Sequence, residues 1–171
     1  MSKFTAIDFE TADNGRDSAC AVGLVRVEEG RITRTAYRLI RPPRPVMLFT
    51  HIHGITWEQV AGEPSFAEVW PELSDMVDGT DFLAAHNAPF DKGVLNACCA
   101  AAGLPVPPQP FICTVRLSKK ELGINPGNLS HVCHHLSIPL NHHNALSDAE
   151  ACAKIMITVE QVRAEKEAAG E

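Results

Sequence analysis

The chain has 171 residues, a length that suits one domain burying about 70% of its unfolded surface, so neither a disulfide nor a structural metal is needed for a core. Its formal charge of −6, from 15 Lys and Arg against 21 Asp and Glu, excludes a broad basic surface or a basic tail for gripping long duplex. Six Cys without a C-x-x-C spacing read as small buried residues of a reduced, cytoplasmic protein, and neither a leader nor a membrane-spanning apolar run is expected.

The first element is a strand over residues 3–10 (KFTAIDFE), apolar at Phe4, Ala6 and Ile7 and ending on two acids. Period-two geometry puts Asp8 and Glu10 on one face. Two such charges ~4 Å apart repel by roughly 4 kcal/mol at an effective dielectric of ~20, so both stay ionised only beside a cation. Mg²⁺ or Mn²⁺ fits, because hard cations choose carboxylate and water oxygens. For an isolated Asp-x-Glu, an exposed strand end with two solvated acids is the plain alternative. Residues 21–27 and 32–40 extend the strand into a three-strand antiparallel meander through a turn at Glu29 and Gly30. Pro42, Pro43 and Pro45 then stop the sheet. Thr56 with Gln59 and Ser65 with Glu68 have capping-box spacing and start two helices, the second turning Phe66, Val69, Trp70, Leu73 and Val77 inward.

A buried strand at residues 82–85 (FLAA) leads into HNAPFD, where Pro89 suits a helix's first turn and Asp91 faces back toward the strand end. An acid there also complements the helix N-terminus, an effect of ~0.3 to 1 kcal/mol. The helix runs over 89–102 and stops at Gly103. LPVPPQP at 104–110 is a rigid connector rather than a polyproline ligand, and a short strand at 111–113 follows. Helices at 114–122, 128–136 and 145–166 complete the chain, the last with Ala145, Leu146, Ala149, Cys152, Ala153, Met156 and Ile157 recurring at three and four. Asp148 falls in its first turns and His143 lies five residues upstream. Residues 164–171 read as a fraying charged tail. The group Cys133, His134, His135, His142 and His143 lacks the offsets of a tetrahedral zinc set. A meander followed by alternating strands and helices makes an α/β fold with a mixed five-stranded sheet flanked by helices, one domain over 1–171 with its core at about 3–160.

Three segments, IDFET (7–11), HNAPFD (86–91) and HNALSD (143–148), resemble the three motifs of the DEDDh 3′→5′ exonucleases. These are the DnaQ-like group of the RNase H-like superfamily, the family of the proofreading (epsilon) subunit of the bacterial replicative polymerase III. HIHGIT (51–56) and NLSHVCHHLSIPL (128–140) resemble segments the family carries between its motifs. The resemblance implies an RNase H-like fold with two Mg²⁺ or Mn²⁺ ions per site. Asp8, Glu10 and Asp148 would hold one metal, Asp8 would share the second with Asp91, and His143 would be the general base. Products would be nucleoside 5′-monophosphates. Phe9, Thr11, His86, Asn87 and Phe90 would contact the substrate, although Thr11 equally suits a loop-bonding hydroxyl and Phe90 a helix core. The implied partners are nucleic acid 3′ ends, with single-stranded DNA ahead of RNA, and a polymerase or repair partner, with no membrane. RNA 3′-end trimming, cleavage of small phosphodiesters and a noncatalytic polymerase-accessory module are the alternatives. A pure binder has no reason to keep mutually repelling acids.

Overall fold

In the computed structural model, which describes residues 1–170, the expected meander forms as β1 (Phe4–Thr11), β2 (Ala19–Glu28) and β3 (Arg31–Leu39). Glu29 and Gly30 make the β2–β3 turn with φ of 52° and 73°, a left-handed pair whose twist matches that of the two strands. β3 is an edge strand that is mostly exposed rather than alternately buried, and Arg31, Arg34 and Arg38 along it oppose pairing with another chain.

Four short or medium helices and turns follow the Pro-rich loop and precede the next strand. α1 (Thr50–His53) and α2 (Trp57–Val60) are single turns, and α3 (Phe66–Leu73) continues as a 3₁₀ turn at Ser74–Met76. Both capping boxes form: the Thr56 N–H donates to Gln59 at 2.8 Å and the Ser65 N–H to Glu68 at 2.8 Å. β4 (Phe82–Ala85), α4 (Ala88–Ala102), β5 (Phe111–Cys113), α5 (Thr114–Glu121), α6 (Leu129–Leu136) and α7 (Ala145–Ala169) complete the order. α7 runs three residues past its expected end and is capped by Gly170 at φ 77°. The tail expected to fray is helical as far as Ala169, and its last residue, 171, lies outside the described residues.

The sheet order is β3-β2-β1-β4-β5, antiparallel through β1 and parallel beyond it. Two apolar layers hold it. On one face Ile7, Phe9, Val22 and Leu24 pack with Val69, Trp70 and Leu73 of α3 and Val94, Leu95 and Cys98 of α4. On the other, Phe4, Ala6, Val25 and Val27 pack with Ala149, Cys152, Ala153 and Met156 of α7. Each large apolar side chain so buried contributes ~1.5 to 3 kcal/mol. The small residues of α7 let that helix lie close to the sheet. β1 pairs with β4 only from Phe4 to Ala6, so its last residues project beyond β4. The crevice above the carboxyl ends of parallel strands is where this class of sheet binds ligands.

Candidate active site

The projecting end of β1 creates the site. Asp8 and Glu10 continue the face that begins with Phe4 and Ala6, so a stripe that is apolar under α7 becomes acidic where the helix starts. Beyond the end of β4 the Phe9 N–H has no strand partner, and Asp91 Oδ1 accepts it at 3.0 Å. Asp91 reaches it because it sits on the buried stripe of α4 with Ala88, Val94, Leu95 and Cys98, and it is 1% exposed. Asn87 initiates that helix at φ 82°, a left-handed conformation that Asn tolerates better than most residues.

Asp148 comes from the first turn of α7 and is 4% exposed. Gly23 brings it near: Gly23 pairs with Asp8 across β1–β2, and a Cβ there would collide with the backbone of Ala145 and Leu146. The missing side chain lets the start of α7 rest directly on β2. Carboxylate oxygens of Asp8, Glu10 and Asp148 then lie within 4.8 Å of one another.

Their electrostatics are those of a cation site. Burial, then the charges of Asp91, Asp148 and Glu10, push Asp8 well above the usual carboxylate range. Burial and then Asp148 push Glu10 up to about 7. Asp91 is raised by burial despite the Phe9 hydrogen bond, and Asp148 is raised by burial despite its bond to His142. Among the described residues no Lys or Arg ion-pairs with any of the four, and the buried Oδ1 of Asp148 has no hydrogen-bond partner. Three converging carboxylates, one of them with an orphaned oxygen, fit a divalent cation with oxygen ligands. Asp8, Glu10 and Asp148 would hold it, with Asp91 standing beside that triad.

A cleft of about 670 Å³ opens over these acids. All ten residues singled out from the sequence line it except Asp91, which lies beneath the floor. Of the expected substrate contacts, Phe9 and Phe90 remain available to the cleft, whereas His86 has both ring nitrogens occupied. Phe9 is 3% exposed and its ring belongs to the α3–α4 core, so it offers the cleft its main chain. His86 has no free ring nitrogen: Nε2 donates to the Gly127 carbonyl at 2.9 Å and Nδ1 accepts from the Thr114 hydroxyl at 2.9 Å. Burial holds it down to about 4, so it is a neutral wall residue rather than a phosphate ligand. Phe90 is not helix core but 37% exposed at the rim, with the Arg16 guanidinium 6.0 Å from its ring centre. Thr11 is 8% exposed, and its carbonyl accepts from His53 Nε2 at 3.1 Å.

Other lining residues were not anticipated as contacts. Phe49, Ile52 and His53 line the cleft together with Val115, Lys119, Asn128 and Leu129, each close to the site only because the chain folds back. His53 belongs to the HIHGIT segment, which pins α1 against the end of β1. His142 is the other omission: its Nδ1 lies 2.9 Å from Asp148 Oδ2, while His143 reaches the same oxygen through its backbone N–H at 3.2 Å. The five-residue offset marks His143, and nothing comparable in the sequence marks its neighbour.

Comparison with known proteins agrees with this geometry. The RNase T family model, described as an exonuclease, matches residues 5–156. The chain is 32% identical over 159 residues to the PolC-type DNA polymerase III of Thermotoga petrophila, covering 90% of this chain and 12% of that protein. It is 31% identical over 166 residues to the 3′-5′ exonuclease DinG of Bacillus subtilis, covering 92% of this chain and 17% of that one. The chain thus spans less than a fifth of the length of these relatives. Exonuclease X in complex with 5′ overhanging duplex DNA superposes with a TM-score of 0.77 at 26% identity, over 94% of this chain and 93% of that one. The chain belongs to the RNase T exonuclease family, the DEDDh exonucleases of the RNase H-like superfamily.

Proposed function

We propose that this chain is one exonuclease domain, with its core at about residues 3–160, that removes nucleoside 5′-monophosphates stepwise from the 3′ end of single-stranded DNA. The observation that carries the reading is the convergence of Asp8, Glu10 and Asp148 under an open cleft, with no Lys or Arg among the described residues ion-paired to them. Mg²⁺ or Mn²⁺, two per site, would supply charge neutralisation and stabilise the attacking and leaving oxygens. The DNA-bound state of exonuclease X supports DNA over RNA.

The protein's own groups account for the rest. Phe49, Ile52 and Phe90 give the cleft apolar surface against which terminal bases stack, and Lys119 supplies a cation for the backbone. Thr11 and Asn87 bring polar groups to the same cleft, where the terminal sugar and its phosphate would lie. Burial and the adjacent His142 hold the His143 imidazole below its ordinary range, so it is neutral at pH 7 and free to accept a proton. His143 takes the proton of the water that attacks the terminal phosphorus. The P–O3′ bond breaks and the departing 3′ oxygen takes a proton from solvent, leaving a 3′-hydroxyl on the shortened strand and a 5′-monophosphate in solution. Asp91 holds the end of β1 through Phe9, keeping Asp8 in place.

The six free cysteines suit a reducing, cytoplasmic setting, and no helix among the described residues is long and apolar enough to cross a membrane. The PolC-type relatives favour a polymerase as partner. The test is degradation of matched 5′-labelled single-stranded DNA and RNA with Mg²⁺, Mn²⁺ or EDTA. A metal-dependent ladder shortening from the 3′ end, faster on DNA, is expected. A faster RNA ladder would reverse the substrate order, and no ladder on either with metal bound would overturn the reading.

A further inference from the structure

The loop before α7 carries two further donors, His142 and His143, that the oxygen triad leaves unused. Ligand atoms of His142, His143 and Asp148 lie within 4.8 Å of one another. Neighbouring side chains usually point apart. Here His143 takes a left-handed conformation, φ 66°, and its ring lies over that of His142 with centroids 3.8 Å apart and planes 19° apart. The loop is held in this form by the helix it precedes. The Asn141 N–H donates to Ser147 Oγ at 2.8 Å, and Asn144 Oδ1 accepts from the Ser147 N–H at 3.1 Å. Both imidazoles are exposed, whereas the carboxylate they share is buried.

We propose that His142, His143 and Asp148 form a binding site for a borderline transition-metal ion, Zn²⁺ foremost, coupled to the hard-cation site through the shared Asp148. Two imidazoles and one carboxylate are zinc chemistry, and Mg²⁺ seldom takes nitrogen ligands. Ligand atoms each ~2.0 to 2.1 Å from a tetrahedral ion stand roughly 3.3 Å apart, so the 2.9 Å separation of His142 Nδ1 and Asp148 Oδ2 has to open by a few tenths of an ångström, and the exposed rings have to turn out of their stack for both in-plane nitrogen lone pairs to meet one ion. Solvent fills the fourth position, since both rings face it. A metal here engages Asp148 and withdraws it from Asp8 and Glu10, so Zn²⁺ opposes Mg²⁺. The binding claim stands apart from the nuclease reading, and only the antagonism rests on it.

The experiment uses tag-free full chain with Asp8→Asn and Glu10→Gln together, which dismantles the oxygen triad, and Co²⁺ as a visible stand-in for Zn²⁺. One equivalent of Co²⁺ should bind with the absorption of a tetrahedral nitrogen–oxygen site, be displaced by Zn²⁺, and resist 10-fold excess Mg²⁺. Adding His142→Phe or His143→Phe, each keeping a ring in the stack, should weaken binding by about 10-fold or more, with folding checked by circular dichroism and His142→Gln as a second removal of the imidazole. Undiminished binding in the His variants, or loss of binding in the Asp8→Asn/Glu10→Gln protein when the unmutated chain binds, overturns the site. In the unmutated chain Zn²⁺ should inhibit the Mg²⁺-supported exonuclease, and His142→Phe should need several-fold more Zn²⁺ for the same inhibition. Zn²⁺ inhibition unaltered by that variant overturns the coupling, even with the site confirmed by Co²⁺.

Discussion

Two acidic groups lie within ten residues of one another and are treated in opposite ways. Asp13 and Asp17, in the loop after β1, meet one arginine: Arg44 reaches Asp13 at 2.9 and 3.1 Å and Asp17 at 2.6 and 2.9 Å. Hydrogen bonds from Arg44 hold both carboxyls below their usual range. Asp8 and Glu10, on the strand just before, meet only further acids and are pushed up. Acids that carry their own cation build structure. Acids buried without one leave room for an ion from solution.

Removing one acid of the unpaired group breaks the comparison most forcefully. Asp8→Ala should lower turnover by about 10³-fold or more and abolish the rise in melting temperature on adding Mg²⁺. In EDTA at pH 8 the same variant should melt no lower than the unmutated chain, because a repulsion has gone with the ligand. Near-normal rates for Asp8→Ala would end the assignment. His143→Ala should cut the rate by ~10² to 10⁴-fold near neutral pH while Mg²⁺ still stabilises the fold, and an unchanged pH–rate profile would point to another base.

Gly23→Ala tests how the acids are brought together. Pushing Ala145 away from β2 should cost about 1 to 3 kcal/mol in denaturant titration and raise the Mg²⁺ concentration needed for activity. Equal stability and equal Mg²⁺ dependence would mean that α7 shifts freely on the sheet.

A pH titration of stability in EDTA sharpens the contrast. Raised folded-state pKa values mean that Asp8, Glu10, Asp91 and Asp148 keep protons in the folded chain that the unfolded chain has already released, so their contribution to stability is fully present below the ordinary carboxylate range and is lost as pH rises. The decline should run from about pH 4 through 7 and 8, the values to which Glu10 and Asp91 are raised, and Mg²⁺ should reverse it. Differential scanning at pH 5 and 8 should find Mg²⁺ stabilisation several degrees greater at pH 8, and a Mg²⁺ effect independent of pH would separate these acids from metal binding. Arg44→Ala is the smallest change: a drop of at most about 3 °C in melting temperature and no change in Mg²⁺ requirement.

Much of this was legible along the chain. Asp8 and Glu10 fall on one face because strand periodicity is local, and both capping boxes form where three-residue spacing put them. The offsets within HNAPFD and HNALSD place Asp91 and Asp148 on the buried stripes of α4 and α7, again a property of one helix at a time. The same local signals said nothing of where His86 would spend its nitrogens, since Gly127 is 41 residues away. Nor could they tell an exposed Phe90 from a buried one, because the periodicity of α4 allows either.

The amino-acid sequence by itself therefore determined the elements, the mixed α/β order, and the faces on which the acids lie, all carried by spacings of two to five residues. Only the tertiary structure decided how they meet. The gap at Gly23 that seats α7 depends on chain segments more than a hundred residues apart, as does the reach of Asp91 to Phe9 on segments some eighty apart. The left-handed turn at His143 that stacks two imidazoles over Asp148 is set by a loop closing on its own helix. Periodicity reports which way a side chain points from its own backbone. Distance between backbones is set by packing, and that is where a set of acids becomes a site.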